Sequence, residues 1–213
     1  MNLDTTQLLA IAAAMGWASG LRLYAVLFLT GLAGMLGWVE LPRGLVLLQN
    51  PWMLGASGFM FAAEFFADKI PVVDTIWDAV HTFVRIPAGA ALAASVFGAD
   101  QATWAGAAAL LGGSLAASSH VAKATTRAAV NTSPEPFSNI GMSLLGDAAV
   151  PAMLGLAFTH PFIALTVLGF VTLASLIAIV VLFRFLRARL RRWRRRGRAP
   201  QPTDAAPPSQ VVG

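Results

Sequence analysis

Asp74, Asp78, His81 and Arg85 follow one another at intervals of four, three and four residues. On an α-helix this spacing puts all four on one face, over about 16 Å at a rise of roughly 1.5 Å per residue. Glu64 and Asp68 stand one turn apart just before them, followed at once by Lys69. His120, Lys123, Arg127 and Asn131 share a face on a later segment, while Arg22 and Asp147 interrupt apolar runs. Such a set supports three kinds of chemistry. Carboxylates and an imidazole can pass a proton or hold a cation, and Asp74, Asp78 and His81 are suitable ligand types for a divalent metal. Arg22, Arg85, Lys123 and Arg127 can neutralise the acids or receive an anionic group. Finally, all these groups can pair with one another and do no more than fix helix register.

The surroundings of these residues define their solvent. The chain has 213 residues, 57% hydrophobic and 12% charged, against roughly 25% charged in soluble domains. Its mean hydropathy is +0.68. One helical span takes about 20 residues, so the length suits five or six spans in one membrane domain without a sizeable soluble module. The expected fold is therefore all-α, a polytopic membrane helix bundle of about six spans. There is no cysteine, which excludes disulfides, thiolate nucleophiles and cysteine-ligated metals. A G-x-S-x-G elbow and a phosphate-loop pattern are both missing from the sequence, so hydrolase and P-loop chemistry have no support.

The net charge of +5 is unevenly distributed. Residues 1–183 carry six Lys/Arg and nine Asp/Glu, a net of −3, while residues 184–213 carry nine Arg and one Asp, a net of +8. The basic stretch directly follows an apolar run, so it reads as a cytoplasmic anchor against anionic lipid rather than a nucleic-acid site. The N-terminus has no basic region ahead of its apolar run and reads as a retained first helix, not a signal peptide.

Six helical segments position the polar groups: about 6–36, 51–70, 73–97, 102–130, 138–158 and 161–183. The last is free of charge. Residues 37–50 suggest an interfacial turn of helix or an excursion into the headgroups. Pro71 separates the second and third segments, Pro87 and Gly89 suggest a kink in the third, Pro151 interrupts the fifth, and NTSPEP at 131–136 is a strong breaker. Arg184–Arg198 should be cytoplasmic, and an even span count places both termini there, with Lys69, Lys123 and Arg127 toward that side. The domain boundaries read as 1–186 for the membrane domain and 187–213 for an Arg-rich tail, disordered toward its end. Arg22 and Arg127, and likewise Asp68 before Pro71 and Asp147 before Pro151, echo each other between the two halves. That echo suggests an inverted three-plus-three repeat, a transporter signature.

The third segment cannot face lipid alone. Two Asp and one Arg near the bilayer centre cost about 7–10 kcal/mol, and its apolar side chains return about 3–5 kcal/mol. The inventory offers a solution: five acids (Glu64, Asp68, Asp74, Asp78, Asp147) match five bases (Arg22, Lys69, Arg85, Lys123, Arg127). Gly112 and Gly113, with Ala116 and Ala117, suit close helix packing.

EFFADKIPVVDTIWDAVHTFVRIPAGAALAA from Glu64, HVAKATTRAAVNTSPEPFSN from His120 and SGLRLYAVLFLTGLAG from Ser19 together resemble the bacterial membrane family called domain of unknown function 4126, over about residues 8–182. The resemblance implies a small multi-span integral membrane protein and supplies no activity. Its pattern residues here are Glu64, Asp68, Lys69, Pro71, Asp74, Trp77, Asp78, His81, Arg85, Lys123, Arg127 and Asn131.

The expected function is that of a small permease or transporter-like protein of the inner (plasma) membrane with a charged intramembrane core, not an enzyme, and with no cofactor. The alternatives are a scaffold or partner subunit whose ion pairs are structural, and a metal-dependent membrane enzyme using Asp74, Asp78 and His81. The expected partners are the lipid bilayer and anionic lipid at the tail; self-association into a homo-oligomer is compatible with the sequence, and no substrate is named by it.

Overall fold

The computed structural model describes residues 3–98, 101–130 and 136–196, apart from the side-chain surroundings of 71–72, 136–139, 186, 189–190 and 192–196. Among the described residues every regular element is helical: α1 (Thr5–Met35), a 3-10 helix (Arg43–Gln49), α2 (Pro51–Ala67), α3 (Pro71–Phe97), α4 (Ala102–Val130), α5 (Pro136–Thr159) and α6 (Pro161–Arg196). Four of these are long and apolar enough to cross a membrane: α1, α3 from Val73, α5 from Ile140, and α6 as far as Phe185. The all-helical membrane character read from the sequence is thus present in the structure.

The ends follow local chemistry. Asp4 accepts the Gln7 N–H at 2.7 Å while the Gln7 side-chain oxygen accepts the Asp4 N–H at 3.0 Å, a reciprocal cap. Asn50 accepts the Trp52 N–H at 2.9 Å. Pro51 and Pro71 open α2 and α3, where a missing N–H costs nothing. Gly98, with φ +70°, closes α3. Pro151, expected to interrupt the fifth segment, lies inside α5, which continues past it to Thr159. α6 also outruns its expected end at Phe183, because the Arg- and Leu-rich stretch up to Arg196 is made of good helix formers.

The helix that breaks is α1. Arg22 has φ −147° and ψ 77°, far from helical values. The arm before it runs antiparallel to α3, with Gly16 and Ser19 against Gly89, and just past the break Tyr24 meets His81 edge-on. The arm after it runs beside α2, with Phe28 stacked on Phe61 and Gly31 against Leu54. Gly31 also touches Leu48 of the 3-10 helix, while Gly44 of that helix sits on Ser95 of α3. A straight α1 would carry Gly31 about 22 Å beyond Gly16 and away from Ser95. The four steps from Gly44 to Leu48, which span at most about 14 Å, could not bridge that separation. α1 therefore folds back at Arg22.

The fold-back has a topological consequence. α5 returns from Asp147 along the first arm of α1, and α6 runs back beside α4; Val150, Leu154, Ala157, Ala164 and Leu168 join the core built on Ala10–Ala18. Thr5 and Arg196 lie at opposite ends of the bundle. The sequence expectation that both termini share one face counted α1 as a single straight crossing, and its break at Arg22 removes the reason for that placement.

α1 is the centre of the bundle, with Ala10–Gly20 buried without interruption. Close approach makes this arrangement workable. A methyl group on Gly16 would overlap the Gly112 backbone, and one on Gly112 would overlap Ala93 and the Gly89 carbonyl. Small residues thus bring α1, α3 and α4 together, as expected for Gly112 and Ala116. The echo between the halves reappears as reciprocal ion pairs, Arg22 with Asp147 and Arg127 with Asp68. The helix packing does not repeat: α1 lies along α2, whereas α4 barely touches α5.

Candidate functional site

The inward face of α3 carries Asp74, Asp78, His81 and Arg85, all buried, while Ile76, Val80 and Phe83 point outward. The helical spacing thus separates ions from lipid on a single element. Arg85 meets Glu64 of α2 and Asp78 at 2.6 Å each. Lys123 of α4 bridges Asp68 and Asp78 at 2.9 and 3.1 Å. Arg127 reaches Asp68 at 2.5 Å and pairs with Asp74. Arg22, at the fold of α1, pairs with Asp68 and meets Asp147 of α5 at 2.7 Å, and Lys69 meets the same carboxylate at 3.3 Å. All ten members of the balanced inventory form one connected network joining α1, α2, α3, α4 and α5.

Asp68 is the hub. Its carboxylate faces Arg22, Lys123 and Arg127 and accepts the Ser143 hydroxyl at 2.8 Å. Ser143 escaped the sequence reading; its one signal is its position one turn before Asp147. The break in α1 also escaped it, although Ser19-Gly20 just ahead of Arg22 is a recognised kink pair. That break leaves carbonyls to be satisfied from outside the helix. Ser119 donates to the Trp17 carbonyl at 2.7 Å, and Lys123 to the Leu21 carbonyl at 3.5 Å.

The histidines stand at the margin of the network. His120 lies 2.7 Å from the Thr82 hydroxyl and accepts from Arg85 at 3.4 Å. His81 donates to the Trp77 carbonyl at 2.8 Å, stacks on the Trp77 ring and meets the edge of Tyr24. It is buried on the same helical face as Asp78 but turned toward aromatic rings. Asn131 lies outside the described residues.

Among the described residues the carboxylates that can converge on one ion are Asp68, Asp74 and Asp78, each offering an oxygen within 4.8 Å of the others. His81, expected as a ligand, is not among them. Lys123 and Arg127 already stand against these three acids and neutralise them.

A cavity of about 480 Å³ adjoins the network between α1, α4, α5 and α6. Arg22, Asp68, Lys123 and Arg127 form its charged end, and α5 and α6 supply most of the remaining lining, including six leucine, methionine and valine side chains.

A family model matches residues 9–183. The chain belongs to the DUF4126 family, a domain of unknown function. No curated protein and no solved structure is detectably similar. In this DUF4126 chain the matched stretch contains every member of the ion network and the whole cavity lining, whereas the Arg-rich end of α6 extends beyond it.

Proposed function

We propose that this DUF4126 protein is a small permease-like membrane protein that handles its solute where the cavity meets the ion network. The observation that carries the reading is the fold of α1. A broken helix deep in a bundle, with its backbone groups satisfied by neighbouring side chains and its tip at a charged site, is the arrangement found where transporters bind. Several cations of the network also hold two acids at once. Lys123 spans Asp68 and Asp78, and Arg22 spans Asp68 and Asp147. A movement of the α1 tip can therefore exchange partners without stranding an ion, which would cost about 3–5 kcal/mol.

The Arg-rich end of α6 belongs in the cytoplasm by the positive-inside bias, against anionic lipid of the inner membrane. The network and cavity then occupy the cytoplasmic half of the bundle, and the start of α1 lies toward the opposite face. The test is proton flux in proteoliposomes carrying an internal pH dye. The reading expects flux from the unmodified chain and its loss in Asp78→Asn and Arg127→Ala variants that insert normally. A silent unmodified chain refutes it.

One observation favours a second reading, a scaffold: every charge in the core has a partner. Exchanging Glu64 and Arg85 separates the two. A swapped protein that keeps both its stability and any flux marks the network as architectural.

A further inference from the structure

We infer that the cavity beside the network binds a single-chain amphipathic anion, a phosphate or carboxylate head on one aliphatic tail. This rests on the reading of that cavity as the solute site. Its volume of about 480 Å³ falls in the range of small-molecule sites, roughly 300–1,000 Å³. Its lining is divided. Met142, Leu145, Met153, Leu156, Val167 and Val171 offer an aliphatic wall. The charged residues that line it are gathered at one end, and three of the four are cations: Arg22, Lys123 and Arg127 against Asp68. The acids that balance them, Asp74, Asp78 and Asp147, are not part of the lining. The end that faces the cavity is thus the basic side of a neutral cluster.

A second observation points the same way. Trp17 lines the cavity and is buried, and its indole N–H has no hydrogen-bond partner among the described residues. A buried donor without a partner carries a real cost. Thr126 also lines the cavity, whereas the Ser143 hydroxyl there is already donated to Asp68. Arginine and lysine donors, an indole N–H and a threonine hydroxyl all suit oxygens bearing negative charge. A cationic head would meet three like charges, and a free inorganic anion would leave the aliphatic wall unused.

The experiment uses the full chain in phosphatidylcholine nanodiscs, with the thermal unfolding midpoint followed against four probes: dodecyl phosphate, dodecanol, dodecyltrimethylammonium and inorganic phosphate. A ligand that binds the folded state raises the midpoint in a saturable way. Dodecyl phosphate is expected to do so, and dodecanol to bind at least about tenfold more weakly, the loss expected for one charge-assisted hydrogen bond. Inorganic phosphate and the ammonium amphiphile are expected to have no saturable effect. Phosphatidic acid added to the nanodiscs serves as the two-chain membrane source and is expected to compete poorly. Ala149→Phe and Ala122→Phe, made separately on α5 and α4, fill the cavity without touching the ion pairs, and each is expected to abolish the dodecyl phosphate shift. Equal shifts from dodecanol and dodecyl phosphate, or a shift undiminished in both filled variants, overturn the inference. Binding without flux would refute the permease reading and leave this one standing; proton flux with no dodecyl phosphate binding would refute this one alone.

Discussion

α1 and α6 face the same bilayer and resolve it in opposite ways. In its most apolar stretch α1 is 78% buried by the rest of the chain, and α6 is 6% buried. α1 carries an arginine, a broken backbone and a run of glycine and alanine. α6 is uncharged until Arg184 and presents Phe162, Phe170, Leu173 and Ile177 at the bundle surface. A helix surrounded by lipid must satisfy its own backbone and show only apolar side chains. A helix surrounded by protein can delegate both tasks. Ser119 and Lys123 take the carbonyls that α1 releases, and Asp68 and Asp147 take the charge of Arg22. High hydropathy therefore marks the helix with the least structural responsibility, and the polar interruptions mark the one that organises the site.

The contrast can be broken outright by topology. The native chain has no cysteine, so Thr5→Cys and Arg191→Cys are clean reporters. In sealed vesicles they are expected to react with an impermeant maleimide from opposite faces. Reaction from the same face would restore a straight α1. Next in size is Arg85→Ala. It leaves Glu64 and Asp78 buried and short of a cation, so a loss of about 3–5 kcal/mol in denaturant unfolding is expected; a loss below about 1 kcal/mol would mean that the network is wet and weakly coupled. Gly16→Val forces α1 from α4 and should cost roughly 1–3 kcal/mol or prevent assembly, read by the midpoint of thermal unfolding. Asp4→Ala removes only the reciprocal cap of α1, for about 1 kcal/mol. At the small end, Phe170→Leu on α6 exchanges one lipid-facing apolar group for another and should stay within about 0.5 kcal/mol.

The fold class and much of the site were legible because both rest on periodicity. The intervals in α3 put Asp74, Asp78 and Arg85 on one face whatever the tertiary structure, and the equal count of acids and bases foretold their mutual neutralisation. His81 obeyed the same spacing yet turned to Trp77 and Tyr24, because spacing fixes a helical face and not the neighbour that the face meets. Pro151 reads as a breaker yet lies inside an unbroken α5, while Arg22, on a residue type that favours helix, sits at the actual break. The reason is tertiary: the partners of the Arg22 side chain come from α2, its C-terminal cap and α5, and Lys123 of α4 meets the carbonyl of Leu21, all more than forty positions away. The cavity was illegible for the same reason, since its lining is drawn from elements scattered along the whole chain.

The most direct test of the buried ion network uses the unmutated protein in lipid bilayers. Rotational-echo solid-state NMR between ¹⁵N-labelled arginine guanidinium groups and ¹³C-labelled glutamate carboxyls reports their proximity. The account predicts strong dephasing from the Glu64–Arg85 pair, whose nearest atoms lie 2.6 Å apart, and its disappearance in Glu64→Gln. A glutamate signal with no component that Glu64→Gln removes would place these charges in separate surroundings and contradict the shared interior.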